Sequence, residues 1–307
     1  MKIRNAFTMI ELIFVIVIMG IIGKFGVEFL AQAYNNFIYS GINNTLQANS
    51  AATVEFIARR LQNRIKDSII VRTAAGVPVA LSDANALTSY PVLEWVGADM
   101  DGFRGNSPSN LPAWSGIVDI DLGNNALIVS PQTDTTQVNS LIDVLSYSSS
   151  DINDTALYFI GSSSDITTGY GWDLNLTNIN LQQGTMHPIN SVAGQPTEFA
   201  PKAGTANFQD VYEYYKLAWT AYAIVYTVPD LTKPTMGTLT LYYGYQPWNG
   251  DTYLLKADGV TPTTRAILME NVSTFQSLAI GSVVKIQICV KSDLMEAYSL
   301  CKEKTVF

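Results

Sequence analysis

The sequence predicts an α+β protein in which one long N-terminal helix precedes a large β-rich head. An unbroken apolar run lies near the N-terminus, and its helical period continues with rising polarity to about Ile70. After this point the pattern changes to short alternating segments between Ser-, Gly- and Asn-rich loops, which is typical of strands. The predicted parts are a basic start (1–6), an apolar helix (7–33), an amphipathic continuation (34–70) and the head (71–307).

The apolar helix is long enough to cross a bilayer, because residues 7–33 span about 40 Å at ~1.5 Å per residue. Lys2 and Arg4 precede it and would keep the N-terminus in the cytoplasm. An ordinary secretory signal has its small-residue cleavage site after the apolar run, whereas Ala6 lies before it. The run would therefore stay on the mature protein. It contains Glu11, and a carboxylate in a membrane helix costs on the order of 2.5–3.5 kcal/mol, so a partner is expected.

The second half of the helix is predicted to pack on the head. Its apolar residues recur at three- and four-residue spacing, which makes one continuous stripe. The stripe includes Val54, Ile57, Leu61, Ile65 and Ile69, while Arg59, Arg60, Arg64 and Lys66 lie off it, facing solvent or another subunit.

The N-terminal residues resemble a known processing site. Ala6-Phe7-Thr8-x-x-Glu11, followed by an apolar helix, is similar to the cleavage and methylation site of type IV prepilins and type II secretion pseudopilins. The resemblance implies that a prepilin peptidase removes a leader of residues 1–6 by cutting between Ala6 and Phe7, and then methylates the amino group of Phe7. It also implies that Glu11 accepts the N-terminal amine of a neighbouring subunit during assembly. The alternative is a plain signal anchor that carries a glutamate.

This resemblance implies a structural subunit, a minor pseudopilin or minor pilin, and not an enzyme. The chain would cross the inner membrane once and hold its head in the periplasm. Its partners would be other subunits through the N-terminal helix, the prepilin peptidase and the inner-membrane assembly platform. The alternative function is a membrane-anchored periplasmic binding module, such as a carbohydrate-binding head. An aromatic set could line such a surface, although core packing is the simpler account: Trp219, Tyr222, Tyr226, Tyr242, Tyr243, Tyr245, Trp248 and Tyr253.

A second resemblance lies near the C-terminus. Residues 265–276, which include Leu-Met-Glu-Asn-Val and Phe275, followed by residues 284–290, are similar to the closing segment of J-type minor pseudopilins and W-type minor pilins. In those proteins a turn leads into a late strand of the head. The size of the head would suit the K-type tip subunit, but that subunit lacks the carboxylate present here as Glu11. The sequence leaves open whether the filament serves secretion, a pilus or DNA uptake.

Several candidate sites in the head have simpler explanations. Cys289 and Cys301 are favoured to form a disulfide if the head lies outside the cytoplasm, the alternative being two free thiols. Asp99 and Asp101 begin like a calcium loop but lack the remaining EF-hand ligands, so no cofactor is expected and calcium is the minority hypothesis. Asp119 and Asp121 are placed together on the solvent face of a strand.

Two Asp-x-Asn-x-Thr sequences, at Asn153 and Asn175, resemble the acceptor of certain bacterial N-glycosylation systems, with chance the leading explanation. His187 has no second His or Cys nearby and is interpreted as a loop histidine. The sequence offers no catalytic set such as G-x-S-x-G or H-E-x-x-H. Residues 71–307 hold eleven basic and twenty-two acidic side chains, a net charge of −11 that excludes nucleic-acid binding by the head.

The head is predicted to contain strands in two blocks. The predicted strands are residues 92–96, 118–122, 126–129, 141–147, 156–160, 217–228, 238–246, 252–256 and 283–290, with a tight hairpin turn at Gly123-Asn124-Asn125. The predicted loops are residues 148–151, 161–171 and 182–204.

Overall fold

The computed structural model describes residues 8–73, 76–85, 89–105, 111–162, 166, 169–172, 185–228, 232, 236–292 and 299–307. Over these residues it has three α-helices and fourteen strands, which confirms the α+β class. The chain divides into one unit up to Asn49 and a second from Ser50 to Phe307. Three predicted site residues, Ala6, Phe7 and Asn175, lie outside the described residues.

Helix α1 (Met9–Gln62) forms the N-terminal unit and continues into the second. Within the second unit its buried residues follow the predicted stripe, and Ile65 and Ile69 beyond it are buried as well. The helix nevertheless ends at Gln62, before the predicted end at about Ile70. The chain reverses at Asp67, which has a left-handed φ of 66°, so the last apolar residues of the stripe reach the core without being helical.

The cations off the stripe do not all face solvent, which corrects the prediction. Arg59 is exposed, but Arg64 is buried and donates to the carbonyl oxygens of Leu61 (2.8 Å) and Ser282 (2.6 Å). The Arg60 guanidinium lies 4.8 Å from the ring centroid of Tyr222, a residue of the large sheet. These contacts fix the end of α1 against that sheet.

The large sheet has eight strands, all antiparallel to their neighbours. On the inner strand formed by residues 92–97, Val92 and Val96 join one core cluster. The Trp95 ring lies on the opposite face, with its centroid 5.7 Å from that of Tyr222, as strand alternation requires. In spatial order the strands are β14 (Ser299–Val306), β13 (Val283–Lys291), β12 (Thr264–Ile280), β11 (Gly237–Tyr245), β10 (Thr220–Thr227), β3 (Val92–Gly97), β1 (Ile70–Arg72) and β2 (Pro78–Ala80).

The second sheet has six antiparallel strands and curls back on itself. An isolated bridge between Ile117 and Tyr214 brings its two edges together, because these residues directly precede the two edge strands. In spatial order the strands are β4 (Asp119–Asn124), β5 (Leu127–Val129), β8 (Gln195–Pro201), β7 (Met186–Val192), β6 (Ala156–Phe159) and β9 (Tyr215–Ala218).

Two buried clusters hold these sheets together. One lies between them and contains the rings of Trp172, Tyr245 and Trp248. The other fills the curled sheet and includes Phe159 and Phe199. Helix α3 (Thr135–Ser146) closes this second cluster by burying residues four positions apart, while the short helix α2 (Met100–Arg104) follows β3.

Several predicted elements were wrong. Residues 141–147, predicted as a strand, belong mostly to α3, whose N-terminus is capped by Asp134 accepting from the backbone of Thr136 and Gln137. The predicted loop 182–204 contains β7 and β8. Residues 252–256 form a looped segment, in which Leu255 makes an isolated bridge with Pro262.

The turn expected from the second resemblance is a bulge instead. Residues 265–276 belong to the single strand β12, and Asn271 has a positive φ of 59° where the register shifts between Val272 and Thr274. Asp119 and Asp121 lie on strand β4 as predicted, the first partly exposed and the second exposed. Because β4 is an edge strand, the intervening Ile120 is exposed as well, over 59% of its surface. The hairpin of β4 with β5 is confirmed, with Asn124 opposite Leu127.

Candidate functional site

The start of α1 is held by the glutamate half of a capping box. Glu11 Oε2 accepts hydrogen bonds from the backbone N–H of Thr8 (3.3 Å) and from its hydroxyl (3.1 Å). The Thr8 carbonyl in turn accepts from the backbone N–H groups of Glu11 and Leu12. Threonine before the first turn with glutamate three residues later is the usual arrangement of such a cap. Glu11 therefore already has a local structural role, and the residue is exposed.

The helix that follows exposes its apolar side chains along its whole first half. Every described side chain from residue 8 to residue 37 is exposed. Among the residues that the structure describes, α1 is the one helix long and apolar enough to cross a membrane. Its two further charges in this region, Lys24 and Glu28, lie one turn apart with Nζ and Oε1 separated by 3.9 Å. An apolar surface of this length would be unfavourable in water.

The two cysteines form the predicted disulfide. Cys289 on β13 and Cys301 on β14 lie directly opposite each other in register, with their Cα atoms 4.0 Å apart. The bond joins the edge strand β14 to the rest of the sheet. It therefore adds a covalent link to residues 299–306, which are also held by the backbone ladder to β13 and by the ion pair between Lys304 and Glu55 (3.0 Å).

Thiol labelling of the unfolded but unreduced protein is expected to modify no cysteine, since both are oxidised. After reduction, two labels per chain are expected, which serves as the positive control. The reduced protein should lose about 3 kcal/mol of unfolding free energy because the closed loop is released. Two reactive thiols before reduction would contradict the bridge.

The calcium candidates have different roles. Asp99 is buried and caps α2, with Oδ1 accepting from the Gly102 N–H (3.1 Å) and Oδ2 from the Trp114 indole N–H (3.0 Å). Burial raises the pKa of the Asp99 carboxyl, and these two hydrogen bonds partly offset the shift. Asp101 is exposed. Among the described residues, no group of three or more His, Cys, Asp or Glu side chains is placed to hold a metal ion.

The glycosylation candidate within the described residues is partly enclosed. The Asn153 side-chain oxygen accepts from the backbone N–H (3.0 Å) and the hydroxyl (3.3 Å) of Ser191. The hydroxyl of Thr155, the third residue of the acceptor sequence, is buried and donates to the Ile152 carbonyl. This arrangement disfavours modification of the folded chain. Asn175 lies outside the described residues.

His187 lies in β7, not in a loop, and only 3% of its surface is exposed. Its ring packs 4.9 Å from the ring centroid of Phe159 and 6.0 Å from that of Phe208. Nε2 has no hydrogen-bond partner among the described residues. Burial lowers the pKa of His187 to about 4, so the ring is neutral in the folded protein at physiological pH.

Acid is expected to destabilise the protein through His187. Between pH 6.5 and about 4 the unfolded chain binds a proton that the folded chain does not, so stability falls as the pH falls through this window. Below about pH 4 the resulting loss of unfolding free energy amounts to about 3 kcal/mol. Thermal melts of His187→Gln should lack this portion of the acid dependence. Equal pH profiles for the variant and the wild type would show that the ring does not titrate as described.

Half of the aromatic set proposed for a sugar-binding surface is in the core, and the other half is partly buried. Trp219, Tyr242, Tyr245 and Trp248 are buried, so they offer no exposed ring faces. One member of the set, Tyr226, lines a groove of about 530 Å³ beside β12. No sequence pattern predicted this groove.

Comparisons with known proteins identify no relative of this chain. The chain matches no protein-family model, no curated protein and no solved structure. Function is therefore inferred from the features described above, namely Glu11, the exposed apolar helix, the disulfide and the groove beside β12.

Proposed function

We propose that this chain is a minor pseudopilin or minor pilin, a structural subunit of a type II secretion or type IV pilus-like filament. The observation that carries the proposal is Glu11. It is a carboxylate in the first turn of an apolar, exposed helix, and it lies three residues after Thr8 in the sequence Ala6-Phe7-Thr8-x-x-Glu11. Burying it in a bilayer costs on the order of 2.5–3.5 kcal/mol, and a plain anchor gains nothing in return.

In this proposal residues 7–33 cross the inner membrane once. Lys2 and Arg4 keep the N-terminus in the cytoplasm, and the head lies in the periplasm. The Cys289–Cys301 disulfide supports this placement, since such bonds persist in oxidising compartments and are rare in the cytosol.

Assembly would proceed through the N-terminal helices of neighbouring subunits, after the prepilin peptidase has acted and with the help of the inner-membrane assembly platform. Three glycines at three-residue spacing support close helix packing. Gly20, Gly23 and Gly26 lie on the exposed part of α1, and small residues let membrane helices approach each other closely.

We propose no catalytic activity, because neither the motifs nor the residues around His187 suggest a reaction. The alternative of a carbohydrate-binding anchored module has lost its main support, because the aromatic rings it relied on are largely buried. The J-type and W-type subunits remain the nearest suggestion within the family, resting on residues 265–276 and 284–290.

Processing tests the proposal directly. Mass spectrometry of the protein purified from cells with an active prepilin peptidase should find a mature chain that begins with N-methylated Phe7. Cells without the peptidase serve as the control and should yield the chain with residues 1–6 attached. Recovery of a chain that still begins at Met1 from peptidase-positive cells would refute the family assignment.

A further inference from the structure

Strand β12 is longer than either of its neighbours. Residues 264–272 pair with β11, and residues 272–280 pair with β13 on the other side. Beyond Val272, no strand among the described residues pairs with the side of β12 on which β11 lies. The short 3₁₀ helix Leu81–Asp83 packs against β12 and shares a small pocket with Ala279. Residues 273–278 therefore form an open strand edge inside the sheet, which we call the β12 edge.

The direction of the backbone groups along the β12 edge follows from its hairpin with β13. Gly281 and Ser282 form a two-residue turn, so the flanking pair Ile280 and Val283 exchanges hydrogen bonds and every second pair does the same. The intervening residues Phe275 and Ser277 then direct their N–H and C=O groups to the open side.

A side chain already bonds to this edge at one end. The Tyr226 hydroxyl donates to the carbonyl oxygen of Ser273 at 3.1 Å, as the same alternation requires. It also approaches the carbonyl of Val272 at 3.3 Å. The Ser273 carbonyl is thus already hydrogen-bonded within the fold. The outward-facing backbone groups that follow it along the β12 edge have no backbone partner on this side among the described strands.

The groove of about 530 Å³ follows the β12 edge, since residues 273–278 line it without interruption. Tyr90 and Pro91 contribute to the lining from another part of the chain, and Gln276 and Gln287 lie opposite each other on β12 and β13. The one charged lining residue, Lys285, has its Nζ 2.8 Å from the Glu303 carboxylate. The groove therefore presents amides, hydroxyls and backbone groups beside the apolar side chains of Phe275 and Leu278, with little net charge.

We propose that this groove binds an extended, uncharged polypeptide segment of a partner protein, which adds as a strand to the β12 edge. Residues 274–278 offer about 16 Å of edge at ~3.3 Å per residue, enough for a segment of roughly five residues. Backbone hydrogen bonds would provide the affinity, and side chains of alternate residues would contact Gln276, Gln287 and Tyr90. A neutral glycan suits the same polar lining but would leave the regularly spaced backbone groups poorly matched.

The test is a selection of phage-displayed random dodecapeptides on the full-length protein in detergent. We expect enrichment of proline-free, extended sequences with few charges. A synthetic peptide of the selected sequence should bind Ser277→Pro at least tenfold more weakly. This substitution removes an N–H group that faces the groove and leaves the hydrogen bonds of β12 to β13 in place.

A second measurement leaves the protein unchanged, so it does not depend on the folding of Ser277→Pro. The backbone nitrogens of the peptide can be methylated in two sets of alternate residues. Methylating the set whose N–H groups face the β12 edge should weaken binding at least tenfold, whereas methylating the other set should weaken it by less than about twofold. If the selection enriches no such peptide, or if the two methylated sets lose affinity equally, the proposal is overturned. Binding of neutral oligosaccharides on a glycan array, lost in Gln276→Ala and kept in Ser277→Pro, would also overturn it and assign the groove to carbohydrate.

Discussion

Replacing Glu94 with glutamine is expected to lower the melting temperature by roughly 10 °C, which corresponds to a loss of about 3–5 kcal/mol. Glu94 is fully buried on β3 and forms an ion pair with Arg72 on β1, which is also buried. Its other carboxylate oxygen accepts from the Tyr245 hydroxyl at 2.8 Å. The glutamine variant would leave the Arg72 charge in the core without a counter-charge.

The remaining contacts of this ion pair show why the Arg72 guanidinium would stay buried in the variant. Arg72 also donates to the carbonyl oxygens of Gly76 (3.0 Å) and Trp172 (3.2 Å), which fix the guanidinium in place. Burial and the neighbouring carboxylate raise the pKa of the Tyr245 hydroxyl well above its usual value, so it stays a neutral donor. The pair thereby joins β1, β3 and β11 at the centre of the large sheet.

The matched control is Glu303→Gln, which breaks the exposed pair with Lys285 on the same sheet. Both partners of that pair are about half exposed, so its loss should cost less than about 1 kcal/mol. Near-ultraviolet circular dichroism melts of the full chain measure both variants. If Glu94→Gln melts within a degree or two of Glu303→Gln, the buried pair does not stabilise the fold as argued.

The sequence contains a pattern that indicates the ion pair between Arg72 and Glu94. Arg72 and Glu94 each interrupt a short apolar β-segment, at residues 69–72 and 92–96, and a charge in such a position must find a partner if the segment is buried. What could not be predicted was that β1 and β3 are neighbours, because strand order depends on contacts between distant residues. The strands at residues 92–96 and 283–290 were predictable because their apolar periodicity is local.

The errors share a physical cause. Residues 141–147 have strand-forming composition, yet Asp134 caps a helix that buries Val138 and Ile142 in the core, so tertiary contacts decided the outcome. The polar composition of residues 182–204 predicts a loop, although Met186 and Ile189 in β7 and Phe199 in β8 are fully buried. The β12 edge could not be predicted at all, since it arises from the offset between the ends of β11 and β13.

Replacing Glu11 with glutamine is expected to abolish filament assembly while leaving membrane insertion intact or improved. If the carboxylate receives the N-terminal amine of a neighbouring subunit inside the bilayer, removing its charge leaves that amine unpaired at a cost of about 3–5 kcal/mol. An association constant would fall by more than a hundredfold. Insertion should not suffer, because the variant removes a charge from an apolar helix.

Glutamine is the informative substitution because it separates two roles of Glu11. Like glutamate, it can accept a hydrogen bond from the Thr8 N–H and keep this half of the capping box, whereas Glu11→Ala removes both the cap and the charge. Glu28→Gln is the matched control, since Glu28 lies on the same helix and pairs with Lys24 while exposed. Sheared-filament fractions and membrane fractions, probed for each variant, measure assembly and insertion. If Glu11→Gln assembles like the wild type and only Glu11→Ala fails, Glu11 acts as a helix cap and the proposed pairing between subunits is wrong.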